Sequence, residues 1–582
     1  IRTQRRNNRS INTGGESMNR ETESHFSNLP SLSIKRSSFK RPHTHKTTFN
    51  ASDLIPIYVD SDILPGDTVK MNMGSLLRMQ TPIFPVMDNA YCDVYFFFVP
   101  HRIVWDHWRE FWGENRLTAW EQQTEYTIPQ IESPKSTGWE AGTIADYMGI
   151  PIGVAGLSVN HLPFRAYCKV WNDWFRDENL KDPCMITTDE TTVTGANSGD
   201  YVTYAETGAK PLKVAKFHDY FTSALPSPQK GPSVLLPIGT QAPVRTGAIN
   251  SIIDPTTEPG LSWGYHVDTK AFTPTNNKIY EVQMNMGTEA ANANGEHKAQ
   301  VQQSDASDPG TMMRIYPNNL YADLTNALGA TINQLRQAFA VQAFYEAQAR
   351  GGSRYIEFVK NIFGVTSPDG RQQRAEYLGG TRFRINMDQV LQTSSTDSTS
   401  PQGNTAAFSC SVSSDEDLFT HSFTEHGTLI GVCAIRTDHT YQQGINRMWN
   451  RKKWTDFYIP QFANLGEQAI LNKELYADAS STDGEVFGYQ ECWADYRYMP
   501  NRISGEMRST YSQPLDYMHY GDDYSSLPTL SSTWIDETEE NIDRTISVQS
   551  STSDQFFADF YFDATYVRPM PVYSIPAMLN HF

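Results

Sequence analysis

The stretch NAYCDVYFFFVP, residues 89–100, places the strongest limit on how this chain folds. It is dense in β-formers and stops at Pro100, so it reads as a buried strand. The period then changes. In IVWDHWREFWG, Trp105, Trp108 and Trp112 fall at i, i+3 and i+7, with Gly113 placed to end a helix. The expectation is a core strand running into a short amphipathic helix whose tryptophan stripe is buried. The polar residues here, His101, Asp106, His107 and Glu110, do not add up to a catalytic or metal set. His107 and Glu110 are at i, i+3 and supply two ligands, with no second pair in sight, so they read as the hydrated face of the helix.

Further strands are expected over 48–100, with the Pro-Gly-Asp turn of DILPGDTVK between two of them, and at 428–439, 485–498 and 555–575. Helices are expected in PFRAYCKVWNDWFRDEN, where Phe164, Tyr167, Trp171, Trp174 and Phe175 share a face, in TINQLRQAFAVQAFYEAQARGG, where Thr331 and Gln334 form a capping box and Gly351 ends the helix, and in SRYIEFVKNIFG. Residues 185–210, 245–312 and 392–407 are rich in small and polar residues and read as surface excursions. There is no βαβ alternation and no internal repeat. Strands early and late with helices and loops between them predict a mainly β protein, one β core interrupted by large insertions.

Charge divides the chain. The net charge is −18, yet residues 1–49 carry ten Lys/Arg against three Asp/Glu, and the remainder carries 38 against 63. Residues 1–17 read as an upstream or non-native extension before Met18, residues 18–49 as a basic, extended arm, and 50–582 as the folded body. Nucleic acid is attracted by such an arm and repelled by such a body. In the arm, Lys35, Arg36, Lys40, Arg41 and Lys46 alternate with Phe39, His43, His45 and Phe49, a pattern suited to single-stranded nucleic acid. The same arm also suits an acidic neighbouring subunit. The longest apolar runs are too short for a membrane span, and six scattered cysteines without CxxC spacing fit a reducing compartment rather than zinc or a disulfide scaffold.

No other motif carries chemistry. His421, Glu425 and His426 have the wrong spacing for a zinc helix, and His218 and Asp219 are adjacent and face apart. Asp522 and Asp523 in YGDDYSS read as an exposed turn. ARGGSRY and YLGGTRF pair close-packing glycines with Arg354 and Arg382, which are candidates for gripping a phosphate or a carboxylate across an interface. No P-loop, dinucleotide fingerprint or nucleophile elbow occurs. No cofactor and no metal is expected.

Several long stretches, in order, resemble the major capsid proteins of the gokushoviruses, in the Microviridae. Among them are FFFVPHRIVWDHWREFWGEN, LPFRAYCKVWNDWFRDENL, TINQLRQAFAVQAFYEAQARGGSRYIEFVKNIFGVTSPDGRQQRAEYLGG, GINRMWNRKKWTDFYIPQFANLGEQAI, CWADYRYMPNRISGEM and RPMPVYSIPAML. The resemblance runs from about Met18 to the C-terminus and breaks near 245–312. It implies a single eight-stranded antiparallel jelly roll with large inter-strand insertions. It further implies a non-enzymatic T=1 icosahedral shell of pentameric units around circular single-stranded DNA. Partners implied are an internal scaffolding protein, a small basic DNA-packaging protein, a DNA pilot protein and a host surface receptor, with assembly in the bacterial cytoplasm and residence in the virion.

On that reading Arg20, Lys35, Arg36, Lys40, Arg41 and Lys46 are the genome contacts. Segment 245–312, with Asn292, Asn294 and Gly295, is the threefold protrusion that meets the host. Trp105, Trp108, Trp112, Trp171 and Trp174 are the interface aromatics. The alternatives are a β-sandwich carbohydrate-active enzyme or lectin, which needs two carboxyls in one cleft that no stretch singles out, and a non-viral single-stranded DNA-binding protein, which should not have so acidic a body.

Overall fold

The computed structural model describes residues 35–114, 125–232, 332–386 and 411–573, with short pieces between them. Its long strands are β1 (Ser37–Phe49), β2 (Ile55–Ile63), β3 (Thr68–Met79), β4 (Ala90–Pro100), β5 (Glu376–Arg384), β6 (Ser411–Ser422), β7 (Gly427–Thr437) and β8 (Phe556–Arg568). They form two four-stranded sheets, ordered β1-β8-β3-β6 and β5-β4-β7-β2. Every pairing is antiparallel. Successive strands alternate between the two sheets except at β4 and β5, which is the winding of a jelly roll.

Residue patterns explain the layers. In β8, Phe556, Ala558, Phe560, Phe562, Ala564 and Tyr566 are buried while the intervening side chains face outward. β3 does the same with Val69, Met71, Met73, Leu77 and Met79. These rows pack against Tyr58, Phe96, Phe98 and Leu429 of the second sheet to make the inter-sheet core. The Phe562 ring meets Tyr58 at 5.2 Å and Phe96 at 6.3 Å. β4 and β7 lack alternation because both their faces are covered. Their other sides, Phe97, Val99, Ile430, Val432 and Ala434, pack on the segment that follows β4. Gly380 is required in β5, since a Cβ there would lie 2.2 Å from the Val94 carbonyl oxygen. Among the described residues, Lys40, Thr44 and Lys46 of β1 and Tyr561 of β8 stay exposed on the outer face of the first sheet.

Two insertions leave this core, 101–375 after β4 and 438–555 after β7. The first holds α1 (Leu162–Val170), which continues through a π turn over Trp171–Phe175. That turn separates two tryptophans of the expected face: Trp171 is fully buried, whereas Trp174 is partly exposed and donates to the Ala375 carbonyl at 2.9 Å. Helices α2 (Ile332–Gly351) and α3 (Tyr355–Phe363) lie where expected, α3 ending on Gly364 at φ +66°. Thr331, the expected cap of α2, lies outside the described residues. Residues Gly231–Tyr345 form a compact unit of their own. Within it, Trp263–Val267 pairs with Met313–Pro317 and Val244–Thr246 with Leu320–Ala322, so antiparallel pairing brings the two ends of the intervening segment together.

Four expectations change. The tryptophan helix shrinks to one turn, Trp108–Phe111, with Trp105 buried before it and Trp112 60% exposed after it. The basic arm does not run to residue 49, because residues 37–49 are β1, a strand of the sheet. Segment 185–210 is not all excursion: Ala205, Glu206, Thr207 and Ala209 are buried, and Glu206 accepts from the Thr187 backbone N–H at 2.8 Å. Asp522 is not on an exposed turn. It is buried, accepts from His439 Nδ1 at 2.8 Å and from Asn541 at 3.0 Å, while His439 Nε2 donates to Glu537 at 3.0 Å.

This buried His439 ties the end of β7 to the 516–546 stretch of the second insertion. Burial alone would lower its pKa, but the two carboxylates outweigh that and push it up to about 10. Burial would raise the Asp522 pKa, and the cation instead holds it at about 2. The signs fix the pH window. The histidine term is fully present below its unfolded value of 6.5 and is lost as pH rises through about 10. The aspartate term is present above its unfolded value of 3.8 and is lost as pH falls through about 2. H439Q, which leaves two buried carboxylates without their cation, is expected to cost about 3–5 kcal/mol near neutral pH. Its deficit relative to wild type should shrink as the pH approaches 10. Urea unfolding of dissociated subunits across that range measures both.

Candidate functional site

The outer face of the β1-β8-β3-β6 sheet carries two of the five described basic residues predicted from the sequence, Lys40 and Lys46. Strand alternation turns Lys40, Thr44 and Lys46 of β1 to this face, and Phe39, Phe49 and Arg41 the other way. Through the register, Lys40 lies level with Thr565 and Lys70, Thr44 with Tyr561 and Gly74, Lys46 with Asp559 and Leu76, and Thr48 with Phe557 and Arg78. Cations therefore stand near both ends of the face, Lys40 and Lys70 at one and Lys46 and Arg78 at the other. Tyr561, 46% exposed, lies between them beside a glycine that leaves room at its flank. Lys40 and Lys46 are six residues apart on one strand, about 20 Å.

Internal partners neutralise some of this charge. Lys46 pairs with Asp559 at 3.1 Å and Lys70 with Asp417. Lys40 and Arg78 have no ion-pair partner among the described residues. An open depression of about 1150 Å³ adjoins the Lys46 end and mixes Arg78, Lys210 and Lys213 with Asp53, Asp146 and Asp554. Lys213 bridges Asp53, at 2.8 Å, and Glu539. Burial pushes the Asp53 carboxyl up to about 6 despite that lysine. The face can hold an extended polyanion through its end cations, and it offers one ring against which a base can stack.

Arg41 does not belong to this face. Its guanidinium turns inward to Asp60 at 2.5 Å and lies over the Tyr566 ring at 4.8 Å. Tyr566 donates to the same carboxylate at 2.8 Å and shares a 2.5 Å hydrogen bond with Tyr58, whose pKa burial raises to about 12. Arg41 thus locks β1 across to β2. Lys35 and Arg36 stand exposed just before β1, and Arg20 lies outside the described residues. Asn292, Asn294 and Gly295 also lie outside them.

The other residues singled out are structural within the chain. Arg382 and Arg436 converge on the fully buried Asp93 of β4, stacking over Phe217 at 4.7 and 4.3 Å. Arg354 holds Glu357 at 2.9 Å and the carbonyls of Asn172 and Arg176. Neither arginine is held in reserve for a neighbour's carboxylate. Trp105 and Trp171 are 0% exposed, so they build the subunit's own core and touch no other copy. Trp108 packs between His101, at 4.6 Å, and Trp105, at 5.9 Å. Trp112 stacks flat on His426 at 4.8 Å with its outer face open. His107 pairs with Glu190 and stacks on Tyr126, and Glu425 takes Arg102 at 2.6 Å. Among the described residues no helix is long and apolar enough to cross a membrane.

Sequence reasoning missed Asp60, Lys70, Arg78 and Tyr561. The last carries a visible signal, an aromatic at an outward position of an otherwise alternating strand.

Comparison with known proteins places the chain. Residues 27–578 match the capsid protein (F protein) family. Capsid protein VP1 of Bdellovibrio phage phiMH2K is 42% identical over 564 residues, covering 97% of this chain and 99% of that protein. Capsid protein VP1 of Spiroplasma virus 4 is 41% identical over 559 residues, with 95% and 97% covered. Capsid protein VP1 of Chlamydia phage 1 is 38% identical over 599 residues, with the same coverage. These relatives give no support to a carbohydrate-active enzyme or lectin. A jelly roll with an exposed, cation-bearing sheet face, matched along nearly its whole length, belongs to the capsid protein (F protein) family: the chain is a structural major capsid protein of the Microviridae, a virion component and not an enzyme.

Proposed function

We propose that this subunit assembles into a T=1 icosahedral shell of pentameric units around circular single-stranded DNA, with the outer face of the β1-β8-β3-β6 sheet and the segment before it turned to the genome. The observation that carries this is the row of exposed cations on that face, in a chain whose net charge is −18. Lys40 and Lys46 on the strand, and Arg20, Lys35 and Arg36 before it, meet phosphates. Arg41, bound to Asp60, holds the strand in place instead. Because the rest of the chain is acidic, a small basic DNA-packaging protein is needed to neutralise most of the genome. An internal scaffolding protein and a DNA pilot protein complete assembly in the bacterial cytoplasm.

Neutralising Lys35, Arg36, Lys40 and Lys46 to alanine together is expected to leave shells that form but hold less DNA. Binding of the subunit to oligonucleotides should weaken about equally for all sequences, with a salt dependence shallower by roughly one unit of slope per lost phosphate contact. Absorbance ratios of purified particles and salt titrations check this; undiminished DNA content would refute it.

The segment 245–312, including Asn292, Asn294 and Gly295, is proposed as the threefold protrusion that meets a host surface receptor. The support is the paired strands that bring the two ends of segment 268–312 together. Excising residues 270–310 in favour of a short Gly-Ser linker should cost little stability, because loop-closure entropy changes only slowly with length. Such particles should assemble and fail to adsorb to the host. Failure to assemble, seen by negative-stain microscopy, would contradict the assignment.

A further inference from the structure

The second insertion displays aromatic side chains that no described residue covers. Trp449 is 75% exposed, Trp454 68% and Met499 73%, and Phe457, Tyr458 and Tyr496 are each about half exposed. Trp454 stacks on Phe462 at 6.2 Å, and Trp493, which donates to the Phe462 carbonyl, packs on Tyr458 and Tyr496; Trp449 and Met499 line a cavity together with Asp495, the partner of Arg451. In this ridge Tyr458 packs on Tyr496 at 6.1 Å, and Arg451 lies over Phe457 at 5.6 Å and over Tyr496 at 4.3 Å. The cavity, of about 560 Å³, is also lined by Arg502, which makes no ion pair or hydrogen bond to a described residue.

At about 150–250 Å² per ring, the five exposed rings present on the order of 400–700 Å². That reaches or passes the roughly 300–600 Å² of the largest apolar patch on a lone protein. With Met499 added, it approaches the about 800 Å² that each partner buries in a standard interface. The ridge is also basic at its edge: Lys452 and Lys453 are exposed beside Trp454, and Arg502 stands at the cavity rim. The chain as a whole is acidic, at −18, so another copy supplies complementary charge.

We propose that this ridge is a docking surface for a second copy of the same chain, which lays an apolar, carboxylate-bearing surface over Trp449, Trp454 and Met499 and brings an acidic side chain to Arg502. The inference rests on the assembly of the shell and names where copies join. Nucleic acid is the weaker occupant, because Arg451 is already paired with Asp495 and Arg447 with Glu474, 3.3 Å away.

The test uses the full-length chain with W449E, W454E, the double variant and R502E. Trp449 and Trp454 are largely exposed, so the dissociated subunit should keep its wild-type circular dichroism and melting temperature. The concentration needed for particle formation should rise at least ~10-fold in the double variant, as for loss of an aromatic anchor. R502E should act in the same direction. Oxidative footprinting of wild type should label Trp449 and Met499 in dissociated subunits and spare them in particles. Double-variant particles forming at the wild-type concentration overturn the proposal, whether full or empty of DNA; empty ones reassign the ridge to nucleic acid. Equal labelling in both states overturns it too. A wild-type chain that never forms particles overturns the shell itself, an outcome distinct from the others.

Discussion

The fold depends on one pairing between the ends of the chain. β8 lies between β1 and β3, in register with β1 over its full length and with β3 from Phe556 to Val567. Without it β1 loses its ladder partner, β3 is left paired on one side only, with β6, and the inter-sheet core loses Phe556, Phe560, Phe562 and Tyr566 together. The pairing with β1 joins residues more than 500 positions apart, as in Phe49 to Phe556. Both large insertions are permitted because the strands they interrupt are fixed by their neighbours rather than by the connecting chain.

Buried charge does the fastening that apolar packing leaves unspecific. Asp60 holds Arg41 and Tyr566, Asp93 holds Arg382 and Arg436, and His439 holds Asp522 and Glu537. Each site joins elements distant in sequence, and each is satisfied on more than one side. Such sites contribute less to net stability than to fixing which strand meets which, since removing one member leaves an uncompensated buried charge. In a subunit that must present the same surfaces in every copy, that specificity is of direct use.

What was legible in the sequence follows from how local the signal is. β4, β7 and β8 declare themselves through β-formers alone, and α3 through its one-sided apolar period; α2 lies where expected although its apolar residues do not keep to one face and its expected cap, Thr331, lies outside the described residues. β1 hides because it is polar and basic on an exposed edge, so its composition reads as a tail while its neighbour β8 makes it a strand. Asp522 was misread for a different reason: its partner His439 is 83 residues away, and nothing in YGDDYSS hints at it. The tryptophans mislead because helical spacing does not say whether a stripe packs inside the subunit or outside it. Trp105 and Trp171 are core, whereas Trp449 and Trp454, in a stretch without helical period, are exposed. Of the candidate DNA face, Lys40 and Lys46 could be read from the sequence, whereas Lys70 and Arg78 are brought there by the pairing of β3 with β8. The inward turn of Arg41 required the sheet.

The central position of β8 has a consequence for synthesis. A ribosome must release residues 556–568 before the first sheet can close, so a product that stops short of Phe556 lacks the strand between β1 and β3. Such fragments leave β1 and one edge of β3 unpaired, and unpaired strand edges are templates for aggregation. Closure of that sheet is thereby tied to synthesis of β8 rather than to any strand made before it.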